Sequence, residues 1–306
     1  MNFLKNSGLV LVVFFSACFP KETAIPAKER INRSQFISSG EYKRDVAFFS
    51  LEKGEIVGEA SPMDWDLYVD GDKVRLNYFR SMRAAKTELN WHELEDTVGL
   101  DFLYLSNDTA NKLSQWELAL DQIYVLDYGF DNDYVHMGFI CVKIERTDNG
   151  VQIWYNKLGS DYEVYKLVDK ESFYYNLREL ESVDLPAETE YDIAFGKYTE
   201  YITIEDESQD YEIFGAILGS SLAYSVEQSF EEVLDENFDV IRLDGDKTVI
   251  GWDWKSYNLN KGAYEIAENV TYLISTYSGY RFKMRFVSYY DEEANSGHPT
   301  FEYELL

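Results

Sequence analysis

The stretch VAFFSLEKGEIVGEASPMDWDLYV at residues 46–69 has a counterpart in SFYYNLRELESVDLPAETEYDIAF at residues 172–195, aligned without a gap at an offset of 126 positions. Phe48-Phe49 meets Tyr174-Tyr175, Leu51 meets Leu177, Val57 meets Val183, Trp65 meets Tyr191 and Asp66 meets Asp192. Identities are few, but aromatic, aliphatic and acidic positions stay in step throughout. A correspondence this long indicates two copies of one structural unit, each with its own core, rather than a solenoid of short repeats.

A second echo supports the first. WELALDQIYVL at 116–126 matches YEIAENVTYLI at 264–274 at an offset of 148, which places about 22 extra residues in the middle of the second copy. FICVKIERTDNGVQIWY (139–155) and YRFKMRFVSYYDEEANSGHPTFEYELL (280–306) each read as a closing hairpin. The first turns at Asp148-Asn149-Gly150, since Asn-Gly readily adopts the positive φ that a two-residue hairpin turn requires. Runs such as QIYVLDYGF, EYITIE, VTYLIS and FKMRFVSYY alternate with the period of half-buried strands. Asp70-Gly71-Asp72 and Asp244-Gly245-Asp246 mark further turns. Helical signals are confined to 113–122 and 225–237, enough for a turn or two each. The expected fold is mainly β, with two tandem antiparallel β-rich units at 45–160 and 161–306 and few short helices.

Residues 1–17 read as a signal peptide, with Lys5 before an apolar run from Leu9 to Phe15 that is too short to span a bilayer. Phe15-Ser16-Ala17-Cys18 has the form of a lipobox, which would make Cys18 the lipidated N-terminus. Several acyl chains on Cys18 would give lasting membrane attachment. Residues 18–44 carry Pro20, Pro26 and Ser38-Ser39-Gly40 without periodicity and read as the lipid anchor and a tether. The expected location is the outer membrane or cell surface. After Cys18 only Cys141 remains, so the mature chain has no intramolecular disulfide. Cys141, in MGFICVKI, reads as a core thiol; the alternative is a nucleophile served by His136, five residues upstream.

The formal net charge is −28. Such a field repels phosphate backbones and anionic lipid surfaces, which excludes nucleic acid as a partner class and leaves the lipid anchor as the only membrane contact. Cations and basic protein surfaces remain compatible with it.

FFSLEKGEIVGEASPMDWDLYVDGDKVRLN (48–77) resembles the opening of the HmuY family of bacterial surface lipoproteins, with its aromatic strand pair, "WD" strand and "R-L-N" strand. Residues 250–306, from IGWDWKSYNLNKGAYEIAENVTYLI to TFEYELL, resemble the family's close, and 172–202 repeats the opening, as in a tandem two-unit member. The resemblance implies a binding lipoprotein and not an enzyme. It implies capture of haem or another porphyrin and delivery to a TonB-dependent outer-membrane receptor. Paired axial side chains hold the iron in that family. Laying its Trp-led strand on 251–256 puts Tyr257 where an axial histidine falls, and tyrosinate is a haem ligand type. The other ligand has no counterpart, because the middle region does not align. Arg75, Arg242 or Arg281 would have to approach the pocket to offset the acidic field acting on haem's propionates.

Three histidines exist, His92, His136 and His298, and no pair has a metal-site spacing. His136 and Met137 are both iron-ligating types, although neighbours on a strand face opposite ways. His92 reads as a loop residue, and His298, before Pro299, as a solvent-facing residue of the final turn. A rival reading is a glycan- or protein-binding module that uses Trp252, Trp254 and Tyr257 as an exposed stacking platform. A carboxylate hydrolase would need two acids facing each other at about 5–10 Å, with Asp64-Trp65-Asp66 and Asp253-Trp254 as the nearest sequence cues. Asp131-Asn132-Asp133 and Asp70-Gly71-Asp72 lack the EF-hand continuation and read as turns. Glycine-rich phosphate loops, nucleophile elbows and paired-cysteine zinc motifs are absent.

Overall fold

The computed structural model describes residues 32–38, 45–102, 117–131, 133–160, 163–204, 207–240 and 242–306. The expected signal peptide, Cys18 and most of the tether lie outside these residues. The first repeat copy contains β1 (Asn32–Phe36), β2 (Val46–Ser50), β3 (Glu55–Ala60), β4 (Leu67–Asp70) and β5 (Lys73–Leu76). It continues through β6 (Arg83–Thr87), β7 (Glu117–Leu118), β8 (Ile123–Asp127), β9 (Phe139–Thr147) and β10 (Gly150–Lys157). The second copy contains β11 (Glu163–Val168), β12 (Ser172–Asn176), β13 (Glu181–Val183), β14 (Ile193–Ile204), β15 (Glu207–Leu218) and β16 (Leu222–Glu227). After α1 (Glu236–Val240) come β17 (Lys255–Asn258), β18 (Ala263–Ile266), β19 (Val270–Ser275), β20 (Arg281–Tyr290) and β21 (Ser296–Leu305). All the strand pairing is antiparallel. No helix among the described residues is long and apolar enough to cross a membrane.

The hairpin expected at Asp148-Asn149-Gly150 forms, but its two turn residues are Asp148-Asn149 and not Asn-Gly: Gly150, at φ 127°, already pairs with Thr147. Asp70 pairs with Lys73 around Gly71-Asp72. Two further local expectations are corrected. Asn32–Phe36 is not tether: it hydrogen-bonds along β21 as an edge strand. The 225–237 segment is not a helix: its start belongs to β16, turns follow, and α1 begins only at Glu236. Of 113–122, the described part contains β7.

The sheets give the repeat a physical form. One five-stranded sheet runs β11-β10-β9-β8-β6 and another β1-β21-β20-β19-β16, position for position the same in the two copies. The remaining large sheets, β13-β12-β4-β5-β7 and β3-β2-β14-β15, correspond in the same way. Each copy's opening strands, β1–β3 and β11–β13, therefore join the sheets built from the rest of the other copy. The copies do not sit in tandem, each closed on itself. One physical unit is the contiguous stretch 67–183, and the other is β1–β3 together with β14–β21, so strand pairs cross the expected 160/161 division.

Atom-level reciprocity accompanies the exchange. Asp66 N–H donates to Tyr175 O and Asp192 N–H donates to Phe49 O, both at 2.9 Å. Leu177 N–H donates to Asp66 Oδ2 and Leu51 N–H donates to Asp192 Oδ2, both at 2.7 Å. The turn after β2 carries Gly54 at φ 71°, and the equivalent turn after β12 carries Leu180 at φ 59°. Only the first copy uses the residue that adopts this conformation without steric cost.

Cores follow the exchanged units. Leu67, Leu76, Leu126, Val142, Ile153, Phe173 and Tyr175 belong to a cluster lying wholly within 67–177. Ile37, Phe49 and Leu51 instead pack with Phe195, Trp254, Phe282, Met284 and Phe301. A third cluster, with Phe48, Trp65, Tyr68, Tyr174 and Tyr191, joins the two. Beside it Glu188 Oε2 accepts from Arg75 Nη1 at 2.5 Å and from Lys247 Nζ at 2.7 Å, all three side chains being buried.

Candidate ligand-binding site

The strand β21 ends in a strict alternation, with Gly297, Pro299, Phe301, Tyr303 and Leu305 turned inward and Ser296, His298, Thr300, Glu302 and Glu304 outward. His298 is thus a strand residue on the outer face, not a residue of the turn. Its side chain keeps 13% of its exposure, because Phe36 of β1 stacks on the imidazole at 5.9 Å with an interplanar angle of 6°. The expectation of a solvated His298 is corrected: β1, in a segment read as tether, shelters the ring. Nδ1 is buried without a hydrogen-bond partner, and Nε2 lies 3.8 Å from Asp291 Oδ2. The signal missed in the sequence was the period-2 register running back from Phe301.

His298 lines a cleft of about 620 Å³ with Phe36, Ser38, Thr300, Tyr290 and the turn residues Asp291, Glu292 and Glu293. That volume suits a small organic ligand. The three acids are consecutive in one turn and do not oppose one another across the cleft. Asp291 is moreover used in closing its turn, accepting from the backbone N–H groups of Glu293 and Asn295. Its carboxyl is held below the ordinary range, chiefly by the Asn295 side chain. Of the acids next to aromatics, Asp66 is buried against Arg80 and caps Leu177, Asp64 accepts from Ser61 N–H at 3.0 Å, and Asp253 is exposed. Neither the cleft nor Asp66 presents two opposed acids.

From Tyr290 the site continues into a ladder of tyrosines. Tyr264 N–H donates to the Tyr290 hydroxyl at 2.6 Å, and the Tyr264 ring meets Tyr257 at 5.1 Å and Tyr289 at 5.1 Å. Burial pushes the Tyr264 and Tyr289 phenols above their ordinary value. Tyr257, on the β17–β18 hairpin, is 52% exposed. Trp254 lies under this hairpin and is 1% exposed. It stacks on Phe286 at 3.9 Å and 12° and donates its indole N–H to Gly251 O at 3.1 Å. Trp252 is half-buried against the joining cluster. Trp252, Trp254 and Tyr257 therefore share no exposed face, so the stacking platform expected of them does not form. Sequence reading also missed Lys255, whose buried ammonium sits 4.5 Å from the Trp254 ring and 4.9 Å from Tyr289 and donates to Phe214 O at 2.6 Å. It fixes the hairpin carrying Tyr257 onto β15.

His136 lies in the β8–β9 connection, and both of its ring nitrogens are engaged. Nε2 is 2.8 Å from Asp127 Oδ1, and Gly138 N–H donates to Nδ1 at 3.2 Å. The accepting Nδ1 places the proton on Nε2, which donates to the carboxylate. Asp127 is buried and also pairs with Arg83. Met137 Sδ accepts from Arg80 at 3.6 Å, and its side chain packs on the 67–177 core. Neither residue presents a free ligand atom. Cys141 is buried beside Leu94 and Val125, and burial pushes its thiol up to about 11. His92 is an exposed residue of a single 3-10 turn. Of the arginines considered for propionates, Arg75 is buried between Glu188 and Glu117, Arg281 lies on Phe238 beside Asp235, and Arg242 is exposed; none lines the cleft. Among the described residues no cluster of three metal-ligating side chains occurs.

The family model described as HmuY protein matches residues 42–303. The chain belongs to the HmuY protein family. The match is continuous over both repeat copies, so one family model takes in the whole interlocked fold of this HmuY family member. No curated protein matches it. Among solved structures, the chain is similar to apo PinO from Porphyromonas gingivitis, at 9% identity and a TM-score of 0.27, covering 92% of this chain and 98% of that one. It is likewise similar to the apo HmuY analog TFO of Tannerella forsythia, at 13% identity and a TM-score of 0.29, with 92% and 98% covered. Likenesses at these values carry no argument about the site. HmuY is a family of binding proteins rather than enzymes.

Proposed function

We propose that the chain is a lipid-anchored surface protein that captures haem or another porphyrin and hands it to a TonB-dependent outer-membrane receptor. Membership of the HmuY family carries this reading. The local support is a 620 Å³ cleft lined by His298 and Tyr290, with Tyr290 linked through Tyr264 to the exposed Tyr257. Phenolate and imidazole are both haem-iron ligand types. Tyr257 offers an exposed phenol and His298 lines the cleft, where an iron would have to displace Phe36 or Asp291 to reach its nitrogens, while His136 and Met137 are committed within the fold. Haem's propionates are repelled by the Asp291–Glu293 wall and by the net charge of −28, which favours a pose with the propionates turned to solvent.

A haemin titration of the chain beginning after Cys18, followed through the Soret region at neutral pH, tests the reading. A saturable, sharpened band at one or two equivalents is expected. Tyr257→Phe and His298→Ala are each expected to weaken binding by about tenfold or more, the scale on which outer partners of a metal site already act. A spectrum identical to free haemin at every ratio would remove haem capture.

A further inference from the structure

The pseudo-symmetry supplies an internal comparison at one surface. On the outer face of the β11-β10-β9-β8-β6 sheet, Tyr165, Trp154, Lys143 and Ile123 lie directly opposite one another across four strands. Next to that row are Leu167, Gln152 and Glu145. The same face is covered farther along, where Leu94, Leu100 and Phe102 pack over Val125 and Cys141. Among the described residues this cover reaches Ile123 of the Trp154 row but not Trp154 or Tyr165. Tyr165 and Leu167 remain 55% and 50% exposed.

In the second copy the equivalent row is Ser34, Glu302 and Arg285 on β1, β21 and β20, where Arg285 pairs with Glu302 at 2.8 Å. The fold is satisfied there by a polar pair, so it does not require aromatic rings at this position. Trp154 and Tyr165 hold their rings 4.8 Å apart at 41°. The indole N–H is tied to Glu145 Oε2 at 2.7 Å, which fixes the half-exposed ring beside the exposed Tyr165. Lys143 is neutralised by the same carboxylate.

We propose that this face binds a neutral polysaccharide. Pyranose rings present apolar C–H faces that stack on aromatic rings, while their hydroxyls bond to flanking polar side chains, here Gln152, Glu145 and Lys143. Two tilted rings fit successive residues of a chain that twists. Anionic polymers are disfavoured, because the Lys143 ammonium in the row is paired and the whole molecule is strongly negative. The site is separate from the cleft at His298 and does not depend on porphyrin capture.

Native affinity electrophoresis of the full chain through gels containing dextran, mannan, laminarin, xylan or soluble starch, with heparin as the anionic comparison, tests the proposal. Retardation by at least one neutral polymer and none by heparin is expected. Tyr165→Ala and Trp154→Ala should weaken it at least tenfold, and Trp154→Phe should restore much of it. Tyr165 sits on an edge strand, so its variant tests the site even where Trp154→Ala disturbs folding. Mobility unchanged in all five neutral gels, retardation by heparin alone, or retardation that both alanine variants keep would overturn the proposal. So would Tyr165-dependent self-association by light scattering without retardation, which would make the face a contact between copies.

Discussion

His136 illustrates how a residue of the right chemical type is removed from a candidate site by its own neighbours. Its nitrogens hold the β8–β9 connection closed, one on buried Asp127 and the other on Gly138 N–H. Freeing Nε2 for iron would take one hydrogen bond from a buried carboxylate that keeps Arg83 and Gly129 N–H, at a cost of about 1–3 kcal/mol. We expect His136→Ala to leave haemin binding unchanged while lowering the thermal midpoint, a pattern opposite to that of His298→Ala; loss of the Soret change in His136→Ala would sink this assignment. Cys141 yields a sharper residue-level test. With its thiol pushed up to about 11, roughly one thiolate in a thousand exists at pH 8, and Leu94 covers it. Ellman's reagent should therefore label the native chain only on the timescale of unfolding and react promptly in denaturant. Fast labelling of the folded chain would contradict the burial.

The elements depend on reciprocal caps. Asp66 and Asp192 occupy equivalent positions and each accepts the backbone N–H of the other copy's leucine, yet their second partners differ. Asp66 pairs with the buried guanidinium of Arg80, whereas Asp192 accepts from the Ser221 hydroxyl at 2.7 Å. Removing Asp66 leaves an uncompensated buried charge, so Asp66→Ala should cost about 3–5 kcal/mol. Asp192→Ala loses neutral hydrogen bonds and should cost about 1–3 kcal/mol; chemical denaturation giving equal losses would refute the distinction. Burial raises the Asp192 carboxyl above its ordinary value, outweighing its hydrogen bonds. The folded state therefore holds this proton more tightly than the unfolded chain, and this group's contribution to stability falls as pH rises through its raised value. Much at this scale was legible in the sequence: the places of the hairpins near 148–150 and 70–72, period-2 strands and the alignment of Asp66 with Asp192. The partner of each strand was not legible, because alternation tells which side chains face inward but not which neighbour supplies the hydrogen bonds. For the same reason the ring of Phe36 over His298 could not be foreseen.

At the scale of the whole molecule, a repeat in sequence and a unit in space have different boundaries. The repeat in the chain divides near 160/161, but the cores are assembled from 67–183 and from the remainder. The joining surface is close to two-fold symmetric: Phe48 and Tyr174 are equivalent residues 6.5 Å apart, and Trp65 and Tyr191 are equivalent residues flanking them. Two fragments of nearly equal length should then behave differently. Residues 45–160 carry β2 without β14 and β4 without β12, leaving strand edges and half of each core open, and should be unfolded or aggregated. Residues 62–186 contain the paired sheets β13-β12-β4-β5-β7 and β11-β10-β9-β8-β6 with the complete cluster from Leu67 to Leu177, and should fold. Isolated, that fragment exposes Trp65, Tyr68 and Tyr174 on a face whose natural partner is its own pseudo-symmetric copy. A self-complementary apolar face of this kind closes as a two-fold dimer. Circular dichroism with multi-angle light scattering should thus find 62–186 to be a β-rich dimer that Tyr174→Asp converts to monomer. A folded, monomeric 45–160 beside an unfolded 62–186 would mean that the copies close on themselves and that the exchange is not what holds the molecule together.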